Sequence, residues 1–83
     1  MKFKISQMAA YALAEHTSLD RVLSEQINNA PTKADFLHLN APIEVVQKAR
    51  DELKDYIGSG AQYNKDAFYL ILKEVEYLAD PNT

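Results

Sequence analysis

Apolar side chains recur along the chain at spacings of three and four residues, the period of a helix with one buried face. Ile5, Met8, Ala9, Ala12, Leu13 and His16 form the first such stripe. Ser6 stands where an N-cap belongs, which predicts a helix over 6–16. Leu19, Val22, Leu23, Gln26 and Ile27 form the second stripe. Thr17 followed by Asp20 resembles a capping box with the shorter acid, so a helix is expected over 18–28. Asn28, Asn29, Ala30 and Pro31 close it, because the residue before a proline avoids the α region.

The same cap spacing at Thr32 and Asp35 predicts a short helix over 33–39, carrying Ala34, Phe36, Leu37 and Leu39. Asn40, Ala41 and Pro42 then read as a capping residue with proline in the first turn. The stripe of Val45, Val46, Ala49, Leu53, Tyr56 and Ile57 follows and gives a helix over 42–57. Gly58, Ser59 and Gly60 stop it, with Gly58 expected in the left-handed conformation. A last helix is expected over 65–79, with Phe68, Ile71, Leu72, Val75, Leu78 and Ala79 inward and Pro81 just beyond. The fold class that results is all-α: a small compact bundle of about five short helices, in a single domain over 1–83.

The last helix is more apolar than one buried stripe requires. Ala67 to Leu72 is an unbroken run of six apolar or aromatic residues. Such a helix is either central in the bundle or turned with one face toward another chain. Tyr69, Lys73, Glu76, Tyr77 and Asp80 lie away from the main stripe. Tyr69, Leu70, Lys73, Glu76 and Tyr77 are the candidate protein-binding residues, tyrosine being favoured at interfaces for its area and polar tip.

Composition narrows the chemistry. The chain has no cysteine, which removes disulfides, thiolate ligands and thiol nucleophiles. Two glycines leave almost nothing for a phosphate-cradling loop. Lys and Arg number 9 against 12 Asp and Glu, and the net charge of −3 arises wholly from residues 41–83, where five basic groups face eight acidic ones. No basic stripe is visible along the chain, so nucleic acid is the disfavoured partner. Lys2 and Lys4 precede the apolar run Met8 to Ala14, but the signal-peptidase-like Ala12-Leu13-Ala14 lies inside that run. This favours an alanine-rich first helix over a leader. No stretch approaches the roughly 18–20 apolar residues that cross a bilayer, so a cytoplasmic protein without membrane insertion is expected.

The candidate sites each meet a plainer explanation. His16 and His38 are 22 residues apart, each at a predicted helix end, and neither belongs to a spaced ligand pair; no metal and no cofactor are expected. Asp55 to Asp66 has the twelve-residue length of a calcium loop with Gly60 at its sixth position. Ile57, Gln62 and Asp66 stand where an oxygen ligand, an apolar residue and a bidentate glutamate belong, which argues against calcium. Asp51 with Asp55 and Glu44 with Lys48 sit at helical spacing on a solvated face. No spacing carries catalytic specificity, and no enzyme is expected.

Two functions from different classes follow. The first is a non-catalytic protein-binding regulator, an inhibitor- or adaptor-type helical module, homodimeric or with a partner through the last helix. Its size suits the accessory proteins of phages and mobile elements. The alternative is a DNA-binding transcriptional regulator with a degenerate helix-turn-helix over 7–27. There Arg21, Ser24 and Gln26 would face the groove and Val22 would pack inward.

Overall fold

Lys2, Phe3, Lys4 and Ile5 alternate polar and apolar side chains, the period of a strand with one buried face. In the computed structural model, which describes residues 1–31, 33–60 and 62–82, they belong to a strand, β1 (Lys2–Ser6). Its partner is β2 (Phe36–Asn40), antiparallel, with Phe3 opposite Leu39 and Ile5 opposite Leu37. This corrects the helix expected over 33–39. Phe36 to Asn40 alternates as β1 does, and five residues are too few for a stable helix of their own. Pairing with β1 satisfies the backbone groups of Leu37 and Leu39 instead, through a partner some thirty residues earlier in the chain. The other half of that short helix's expected cap, Thr32, lies outside the described residues.

Four helices complete the described chain: α1 (Gln7–His16), α2 (Arg21–Asn29), α3 (Ile43–Ile57) and α4 (Lys65–Ala79). Over the described residues the protein is therefore mostly helical but not all-α, with four helices and a two-stranded sheet in place of five helices. Ser6 caps α1 as expected, its hydroxyl accepting the Ala9 N–H at 3.2 Å. Thr17 closes α1 instead of opening α2, because its hydroxyl donates to the Leu13 carbonyl at 2.6 Å. Asp20 caps α2 directly, accepting the Val22 N–H at 2.7 Å. Asn40 ends β2, and Pro42 occupies the N-cap of α3 without a side-chain bond. Gly58 is right-handed (φ −81°), and the left-handed turn falls on Gly60 (φ 82°). Asn64 caps α4 through the Ala67 N–H.

The core is one cluster built from the inner face of the sheet and from all four helices. Alanines make α1 its close-packed centre: Ala9, Ala10 and Ala12 are buried beside Leu13. Helices α3 and α4 run antiparallel beside it. Gln47 donates to the Ala79 carbonyl at 3.2 Å, Lys54 pairs with Glu76 at 3.1 Å, and Tyr56 meets Phe68 near the connecting loop. Four rings gather at that end: His16 stacks on Tyr56 at 4.1 Å between centroids, and both meet Phe68, with Tyr63 beside. Tyr63 also ties the loop down by donating to the Ile57 carbonyl at 2.8 Å.

Two glutamates hold the helix entries in place. Glu74 of α4 accepts both the N–H and the hydroxyl of Ser6, at 2.6 and 2.7 Å, where β1 turns into α1. Glu52 of α3 does the same for Ser18 between α1 and α2. A carboxylate taking two donors of one serine fixes both the position and the direction of the chain there.

Candidate protein-binding surface

Helix α4 buries Ile71, Val75 and Ala79 and half-buries Phe68, Leu72 and Leu78. One turn repeats every 3.6 residues, so the rest of its apolar run must point away from that stripe. Tyr69, Leu70 and Tyr77 do so, at 58%, 65% and 66% exposure. Leu70 and Tyr77 are seven residues apart and share one side of the helix. Tyr69 stands about 100° round from Leu70 on the same outer face, where the Lys73 ammonium sits 4.8 Å from its ring centre. Glu76 is the exception in the expected set, since its carboxylate is paired with Lys54 and belongs to the contact between α3 and α4.

Helix α1 carries exposed apolar side chains as well. Met8 is 58% exposed, and Tyr11 is exposed beside it. The two line an open groove of about 310 Å³ with Ala12, His16, Phe68 and Ile71. The sequence pattern places Met8 in the buried stripe, and the structure turns it out. Its exposure is readable in the neighbouring residues: Ala9, Ala10 and Leu13 suffice for a close helix contact, which leaves the long side chain outside. Phe36, expected on a short helix, is instead half-exposed on the outer face of the sheet, with the Lys4 ammonium 4.5 Å from its ring centre.

The residues of the DNA-binding alternative stand on α2. Arg21 is exposed and pairs with Glu25 at 3.1 Å. Ser24 is half-buried, and Val22 is 62% exposed. Gln26 is bound to the backbone of β2, where its amide donates to the Asn40 carbonyl at 2.9 Å and accepts the Asn40 N–H at 2.8 Å. This side chain occupies the place of a neighbouring strand at the end of β2.

The histidines are far apart in role: His16 lies in the ring cluster and His38 is exposed on β2. Among the described residues, no group of three or more His, Asp or Glu side chains is placed to hold a metal ion. No helix among them is long and apolar enough to cross a membrane. The chain matches no protein-family model, no curated protein and no solved structure.

Proposed function

We propose that the protein is a non-catalytic, cytoplasmic protein-binding regulator of the inhibitor or adaptor type, docking a partner protein on the outer side of α4. The observation that carries this reading is the exposure of Leu70, Tyr77 and Tyr69 on a helix whose opposite side already completes the core. Apolar area of that kind is not needed for folding, and aromatic anchors with a charged rim are the usual composition of a docking site. Lys73 beside Tyr69 supplies such a rim. The DNA-binding reading has less support, because Gln26 and Arg21 are both engaged within the chain.

The test is affinity capture from the native host with the unaltered chain and with Tyr69→Asp and Leu70→Asp together. Light scattering after size exclusion shows whether the captured partner is a second copy. Loss of the partner from the double variant, with unchanged circular dichroism, is the expected result. Equal recovery of every partner by both chains refutes the α4 surface.

A further inference from the structure

Among the described residues, nothing pairs with the outer edge of β1 along part of its length. Gln7 N–H donates to the Asp35 carbonyl and Ala41 N–H to the Met1 carbonyl, at 2.9 and 3.0 Å, bracketing the ladder. Phe3 and Ile5 therefore exchange backbone bonds with Leu39 and Leu37, and the N–H and C=O groups of Lys2 and Lys4 point away from β2. Ser6 points the same way, but its N–H is taken by Glu74. The equivalent edge of β2 lies beside α2 and is closed at Asn40 by Gln26.

Two features flank the open part. On the inner side, a cleft of about 370 Å³ separates Lys2 to Lys4 from Ile43, Tyr77, Leu78 and Pro81. On the outer side, a hollow of about 460 Å³ carries Lys2, Lys4 and His38 with Gln26 and Asn40, and no carboxylate among the described residues lines it. Neither lysine has an ion-pair partner among the described residues. Asp80, which lines the inner cleft, is engaged with the Asn82 N–H at 2.9 Å.

We infer that β1 accepts an added strand, and that this strand is an acidic–apolar–acidic segment of a partner protein. The inference rests on the reading of the protein as a protein-binding module and adds the chemistry of what is bound. In an added antiparallel strand, the residues opposite Lys2 and Lys4 share their face, with Cβ atoms about 4.5–5.5 Å away, so carboxylates there are paired. The residue between them points to the other face, where Tyr77 and Leu78 line the cleft and an apolar side chain fits. Backbone bonds to Lys2 and Lys4 supply affinity, and the alternating side chains supply selectivity. A second copy adding through its own β1 sets lysine against lysine, which opposes pairing.

The test uses the full chain and a fluorescein-labelled, acetylated decapeptide with a central glutamate-valine-glutamate, followed by anisotropy at low ionic strength. Saturable binding is expected, weakened about ten-fold by Lys2→Glu with Lys4→Glu. N-methylation of the two glutamate amides, which keeps the charge and removes the strand bonds, is expected to abolish it. Hydrogen exchange at the Lys2 and Lys4 amides is expected to slow at least about ten-fold with saturating peptide, since both become bonded. The proposal is overturned if the methylated peptide binds equally, if a lysine-for-glutamate peptide binds equally, or if no binding is seen. It is also overturned if those two amides slow with protein concentration alone, which would place a second copy on the edge. Peptide binding together with failure of the Tyr69 and Leu70 test removes the α4 surface and leaves the strand site. Failure of the peptide with that test upheld does the reverse.

Discussion

Removing the Glu74 carboxylate tests how α4 holds the junction of β1 and α1. Glu74 reaches from α4 to the junction of β1 and α1 and accepts two donors from Ser6, at 2.6 and 2.7 Å, in a partly buried position. A hydrogen bond to a charged group contributes about 1.5–3 kcal/mol. The two bonds share one carboxylate that is partly open to water, so Glu74→Ala is expected to cost about 2–4 kcal/mol. For a domain of this size that lowers the Tm by roughly 10–30 °C. Glu74→Gln retains one acceptor oxygen and is expected to cost about half as much. Urea unfolding followed by circular dichroism measures both. A double-mutant cycle with Ser6→Ala isolates the hydroxyl bond from the backbone bond, and a coupling of about 1 kcal/mol is expected. The cap of α1 is lost in Ser6→Ala as well, but it cancels in the cycle. A cost below about 0.5 kcal/mol for Glu74→Ala, the size of an ordinary surface substitution, refutes the account of α4 as the clamp on this junction.

Other substitutions separate the remaining contributions. Leu53 is fully buried on α3, and Leu53→Ala is expected to lower unfolding stability by about 2–5 kcal/mol in urea titration. Gln26→Ala removes both side-chain bonds to the Asn40 backbone, with an expected cost of about 1–2 kcal/mol and faster hydrogen exchange at the Asn40 amide. The two glycines give opposite results in thermal unfolding. Gly60→Ala forces a side chain into φ 82° and is expected to cost about 1–2 kcal/mol. Gly58→Ala is helical, with its added Cβ in ordinary contact with the Lys54 carbonyl at 3.5 Å, and is expected to stabilise by about 0.4–1 kcal/mol.

The sequence alone determined three of the helices and most of what they bury. Stripes at helical spacing placed α1, α3 and α4 within a residue of their observed limits, because an amphipathic helix satisfies its own backbone and needs only one apolar face. The cap at Ser6 was readable for the same local reason. The excess apolar run of α4 was also visible, and with it Tyr69, Leu70 and Tyr77. What the pattern could not assign was Glu76, whose partner Lys54 lies across a loop on another helix.

Tertiary structure decided the rest. A strand's backbone bonds go to a partner elsewhere in the chain, so the alternation at Lys2–Ile5 and Phe36–Asn40 acquires meaning only when the two segments meet. That meeting turned an expected fifth helix into a strand and gathered Lys2, Lys4 and His38 on one face, although they are scattered in sequence. It also gave Gln26 and Glu74 their roles at the ends of the sheet's two edges. Whether an edge is open or closed depends on side chains arriving from distant helices, and no local periodicity records their arrival.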